Sequence, residues 1–228
     1  MMKALAIRSA AVIGAIFLSV PASADDAGAA IPSAWHEEGL PILRFQKDPA
    51  RDRGWLLTRS GVFVFDFRSR QTTAHVGLPQ WVWAGEAFSC PPDLALGPKG
   101  EALVSSNVEP TLWRIDPVTL VVTRHPLVLD AHGTKDVGFT GIAFSKTQNA
   151  FYAASPFGAL WRIDPLLRRA QQIELSAPIP GGCGVSIGTA RKNLSRFTRV
   201  CVRGPHGGWA VNVAPDGRSG YVVAQPCP

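Results

Sequence analysis

The residues best equipped for chemistry lie in three stretches that read as loops, 80–92, 130–140 and 204–208, and at the residues that adjoin them. Asp130, His132 and Asp136, with His206, make an oxygen and nitrogen donor set of the kind that suits Zn or Mn. His132 beside Asp136 could instead exchange a proton with a substrate, because an imidazole titrates near neutral pH. Spacing within a loop does not impose ligand geometry, and a loop histidine is more often simply solvated. Trp81, Trp83, Glu86, Asp93 and Trp209 add flat apolar rings and carboxylates to the same stretches. That mixture is what a concave ligand site uses. Gly184-Val185-Ser186-Ile187-Gly188 matches the nucleophile-elbow pattern. The pattern carries chemistry only at a strand-to-helix turn, followed by an acid and a histidine, and no histidine follows Asp216. The two glycines read as chance. There is no phosphate-binding glycine loop, no Cys-x-x-Cys-His and no His-Glu-x-x-His.

What must position these residues is a repeat. Leu112-Trp113-Arg114-Ile115-Asp116-Pro117 recurs unchanged as Leu160-Trp161-Arg162-Ile163-Asp164-Pro165. A period near fifty residues marks a unit that buries its apolar faces by stacking on copies of itself. Each copy follows a strand-turn-strand pattern, Asp93 to Ser106 and Gly141 to Ser155. Pro98-Lys99-Gly100 supplies the first turn, since proline fixes φ and glycine accepts positive φ. Val211 to Val223, around Pro215-Asp216-Gly217, reads as a third strand-turn-strand. A degenerate copy, Leu43 to Asp66, opens the domain. One more strand follows each aspartate, at Thr72–Val76, Leu120–Leu127 and Gln171–Leu175.

The expected fold is therefore all-β and propeller-like, with about four four-stranded blades and a fifth sheet as an alternative. The last unit is irregular. Its extra segments, Cys183–Thr189 and Arg196–Arg203, are expected as outer strands of the final blade or as a hairpin on its edge, with Ala210 starting the inner strand. Four blades is the low end for closure, so an open arc closed by homodimerisation is the alternative.

The recurring aspartate has a turn role, accepting hydrogen bonds from the amides that follow it. Trp113 and Trp161 are expected between neighbouring blades. Leu-Trp-Arg-Ile-Asp-Pro after strand-turn-strand resembles the blade motif of the YVTN, NHL and SMP-30/gluconolactonase-like propellers, over residues 43–176 and 209–224. Lactonases of that group hold a divalent cation with Glu, Asn and Asp at the channel. Here only Asp93 among the expected inner-strand starts is acidic, and no Asn matches.

Residues 1–24 read as a signal peptide: Lys3 and Arg8, an apolar run from Ala10 to Val20, then Pro21 and Ala22-Ser23-Ala24. Residues 25–228 are expected as one domain in the periplasm or secreted. No later run is long enough for a membrane span. Losing Lys3 and Arg8 with the signal takes the formal charge from +6 to +4. The basic residues are scattered, which argues against nucleic acid as a partner. Four cysteines in an exported chain favour disulfides. Three pairings are open; Cys183 with Cys201, leaving Cys90 with Cys227, is preferred because the first two flank an expected hairpin.

The functional reading is a binding module, without chemistry and without a cofactor, for a protein or small-molecule ligand. Trp81, Trp83, Glu86, Asp93, His132, Asp136, His206 and Trp209 would line its mouth. A divalent-metal hydrolase or lactonase, and an accessory subunit of a periplasmic redox enzyme, are the alternatives.

Overall fold

The computed structural model describes residues 41–85, 90–130, 138–189, 194–204, 207–223 and 227. Four sheets account for the regular structure among them. Blade 1 is β1 (Ile42–Asp48), β2 (Arg53–Thr58), β3 (Gly61–Asp66) and β4 (Gln71–Val76). Blade 2 is β5 (Leu94–Leu96), β6 (Ala102–Ser105), β7 (Thr111–Ile115) and β8 (Val122–Pro126). A short strand, β9 (Val128–Asp130), precedes blade 3: β10 (Gly141–Ser145), β11 (Ala150–Ala154), β12 (Leu160–Ile163) and β13 (Arg169–Gln172). After β14 (Glu174–Leu175) comes blade 4: β15 (Gly184–Gly188), β16 (Thr198–Gly204), β17 (Gly207–Val213) and β18 (Ser219–Val223).

Each blade is an antiparallel meander, because short strands joined by tight turns pair with their neighbours. The connections add something the repeat did not announce. On leaving one blade, the chain pairs in parallel with the outer strand of the next, β9 on β13 and β14 on β18. Each connection thus fastens two blades before turning inward.

The middle strands of blades 2 and 3 are apolar on both faces because each of these blades has a packed neighbour on either side. Trp55, Val64, Val104 and Trp113 fill the seam between blades 1 and 2. Leu103, Phe139, Phe151 and Trp161 fill the next. Tyr152, Leu160, Val200 and Val213 fill the seam between blades 3 and 4. Both repeated tryptophans are fully buried, as expected, and each contributes on the order of 2–3 kcal/mol by burial. A fourth cluster, around Leu56 and Phe65, draws among the described residues on blade 1 alone. No apolar cluster of described residues joins blade 4 to blade 1.

The turn role of the repeated aspartate is also found. Asp116 Oδ1 accepts from the amides of Val118 and Thr119 at 2.9 and 2.8 Å. Asp164 accepts from those of Leu166, Arg168 and Arg169. The Thr119 and Val118 amides hold the Asp116 carboxyl below the usual carboxylate range.

Two expectations are corrected. The segment 184–204 is not an edge addition: β15 and β16 are the inner pair of blade 4, and Ala210 lies on its third strand. Pro215-Asp216-Gly217 therefore turns between the two outer strands. Its strand-turn-strand pattern resembles an inner pair, whereas the inner strand of blade 4 is the glycine-flanked Gly184–Gly188. The disulfides are Cys90–Cys183 and Cys201–Cys227, not Cys183–Cys201. Ser186, not Cys183, stands opposite Cys201 across the β15–β16 hairpin. Cys183 precedes the hairpin, at the end of the blade where Cys90 also lies.

Candidate functional site

The inner strands β1, β5, β10 and β15 start at one end of the axis, and there the blades are knitted together. Asp93, just before β5, is the centre. Its Oδ1 accepts from Arg44 Nε on β1 at 3.0 Å and from its neighbour's amide, Leu94 N, at 2.8 Å. Its Oδ2 accepts from Ile142 N on β10 at 2.9 Å. Arg44 also donates from Nη2 to the carbonyl of Cys183, just before β15, at 2.5 Å. One carboxylate and one guanidinium thus touch all four blades. Asp93 is 5% exposed, and burial pushes its carboxyl up while Arg44 and the two amides act against that rise.

Backbone closes the same end further. Thr140 Oγ1 donates to the carbonyl of Gly182, and Ser105 Oγ to that of Phe139. Gly141 and Gly184 approach so closely that a Cβ on Gly141 would stand 2.6 Å from the Gly184 carbonyl carbon. Only glycine lets two inner strands meet there. The Cys90–Cys183 bond joins the entry loops of blades 2 and 4 across this end.

Around this knot sit the aromatic candidates. Trp81 and Trp83 stack with centroids 5.7 Å apart and planes at 29°. Both remain partly exposed. Their loop is clamped by blade 2: Trp81 Nε1 donates to Ser105 O at 3.0 Å, Ser106 Oγ to Val82 O, and the Asn107 side chain bonds both the amide and the carbonyl of Ala84. Asn107 also donates to Cys90 O at 3.1 Å. Trp209 belongs elsewhere: it is on β17 and packs on the core between blades 3 and 4. The structure therefore groups Trp81 with Trp83 and assigns Trp209 to another seam. Glu86, His132, Asp136 and His206 lie outside the described residues, and so does any test of a shared donor set. Among the described residues no group of three or more His, Cys, Asp or Glu could hold a metal ion.

Asp93 stands out in the sequence, and Arg44 does not. An arginine inside the apolar strand Leu43-Arg44-Phe45 is the signal that could have found it, since a charge there needs a buried partner. The clamp residues Ser105, Ser106 and Asn107 gave no signal beyond being polar at a strand end.

No protein-family model matches the chain, and no curated protein matches it. Solved structures do. The chain resembles virginiamycin B lyase from Staphylococcus aureus with a TM-score of 0.56 and 11% identity, covering 80% of this chain and 54% of that one. It resembles an auxiliary nutrient binding protein from Bacteroides thetaiotaomicron with a TM-score of 0.53 and 12% identity, covering 82% and 42%. It also resembles the dihydro-heme d1 dehydrogenase NirN, in complex with DHE, with a TM-score of 0.51 and 16% identity, covering 81% and 36%. These likenesses establish a β-propeller-like fold. The chain spans about half or less of each of these neighbours.

Proposed function

We propose that this chain is an exported, propeller-like binding module. It takes a protein or small-molecule ligand at the entry end of the axis and performs no chemistry on it. The observation that carries the reading is the Trp81–Trp83 pair: two stacked, partly exposed indoles on a loop pinned by four hydrogen bonds. A preorganised aromatic surface binds flat or ring-shaped partners at little entropic cost. The engagement of Asp93 supports the non-catalytic half, because its carboxylate oxygens already accept three hydrogen bonds within the protein. Two disulfides suit an oxidising compartment, periplasmic or extracellular. The neighbours share a fold and not an activity: by their names one is a lyase, one a nutrient binding protein and one a dehydrogenase.

The test is a tryptophan-fluorescence titration with neutral oligosaccharides, aromatic amino acids and short peptides. At least one class should give a saturable change, weakened about tenfold or more by Trp83→Ala, with the melting temperature of the variant close to wild type. Binding that survives Trp83→Ala would overturn the assignment of the site. Turnover of lactones on addition of a divalent cation would overturn the non-catalytic reading.

A further inference from the structure

The seam between blades 3 and 4 contains a polar row. Tyr152 on β11 pairs with Arg162 on β12, Arg162 with Gln171 on β13, and Gln171 with Asp130 on β9. Residues directly opposite across a sheet share a face. Tyr152 belongs to the core between blades 3 and 4, so the whole row faces blade 4. At its inner end Tyr152 is 0% exposed and Thr198, from β16 of blade 4, is 4% exposed. The Tyr152 hydroxyl lies beside Thr198 and Arg162. Tyr152 Oη, Thr198 Oγ1 and Arg162 Nε are all buried, a polar group shut off from solvent inside an otherwise apolar seam. Burying polar groups in an apolar seam is unfavourable, and three at one place call for an explanation.

Arg162 also lines a cleft of about 530 Å³ at the end of the molecule away from the tryptophan pair. Arg169, Arg218, Gln171, Asp130 and Asp164 line it too. The Asp164 carboxylate is occupied by three backbone amides of its own turn. Arg162, Arg169 and Arg218 form no ion pair among the described residues. The Pro215-Asp216-Gly217 turn covers Arg162 closely: Gly217 has φ +71°, and a Cβ on it would stand 2.4 Å from Arg162 Cδ.

The repeat supplies an internal comparison. Arg114 holds in blade 2 the place of Arg162, but the residue opposite it is Leu103, part of an apolar core. Only in blade 3 does a tyrosine stand there, with a threonine from the next blade beside it. The arginine belongs to the repeat, whereas the buried hydroxyls are particular to this seam.

We propose that this cleft binds a small molecule bearing an oxyanion, a carboxylate or a phosphate. Arg162, Arg169 and Arg218 pair with the charge, and Tyr152 with Thr198, buried beside Arg162, act as positioning residues for its guanidinium. Asp130, at the outer end, orients the ligand by favouring a hydroxyl or ammonium there. The site is separate from the tryptophan pair and stands or falls independently of it.

Thermal unfolding and calorimetry with inorganic phosphate and with succinate, against chloride at matched ionic strength, test it. Saturable stabilisation by either anion is expected, and which of the two binds tells phosphate from carboxylate. Tyr152→Phe should weaken binding about threefold or more, because it frees the Arg162 guanidinium from its buried neighbours, and Tyr152→Ala should weaken it further. Arg162→Gln should abolish binding. Arg59→Gln, at an exposed arginine of blade 1, should change nothing. The proposal fails if neither anion binds saturably, if Tyr152→Phe binds as wild type does, or if Arg59→Gln weakens binding as much as Arg162→Gln.

Discussion

Two charged residues carry more of this structure than their number suggests. Asp93 and Arg44 lie 49 positions apart, yet together they reach the inner strands of three blades and the entry loop of the fourth. Burying a carboxylate is unfavourable unless donors surround it, and here every donor comes from a different part of the chain. Asp93→Asn keeps the shape but removes the charge opposite Arg44. It also turns an amide donor toward donors. The expected loss is about 3 kcal/mol, or roughly 6–12 °C in melting temperature for a chain of this size. Calorimetry of the variant checks it; an unchanged melting temperature would make the pair ornamental. At this scale the sequence was only half legible. Asp93 stands out as an acid at the start of an inner strand. Its partner could not be read, because pairing across 49 residues depends on which strands surround the axis.

At the scale of the blade, the repeat itself was the readable signal. Six identical residues placed two tryptophans and two turn aspartates correctly, since each does a local job that recurs with the local pattern. The final blade is the exception: its inner pair, β15 and β16, lacks the recurring pattern, and its outer pair, β17 and β18, has the strand-turn-strand form of an inner pair. The two tryptophans are nevertheless not equivalent. Trp113 Nε1 donates to Pro79 O at 2.8 Å, whereas Trp161 Nε1 is buried without a partner. Trp113→Phe should therefore cost about 1 kcal/mol more than Trp161→Phe, the net worth of one hydrogen bond. Urea unfolding of the two variants measures the difference; equal losses would mean that packing alone sets the value of both positions.

At the scale of the molecule, three seams are filled by shared apolar cores. The junction of blades 4 and 1 is bridged among the described residues by the Arg44 bond to Cys183 O. What brings blade 2 to blade 4 is covalent, the Cys90–Cys183 bond across a sequence separation of 93. Closing so long a loop removes a large share of the unfolded chain's freedom, on the order of 4 kcal/mol. That the cysteines pair as disulfides was legible in the sequence, but connectivity was not, because it reports which loops share an end of the axis. That same fact makes it the most direct measurement of the whole arrangement. Peptide mapping of the unreduced protein by mass spectrometry should recover Cys90 linked to Cys183 and Cys201 linked to Cys227. Recovery of Cys183 linked to Cys201 would mean that the entry loops of blades 2 and 4 do not meet, contradicting the four-blade arrangement around one axis.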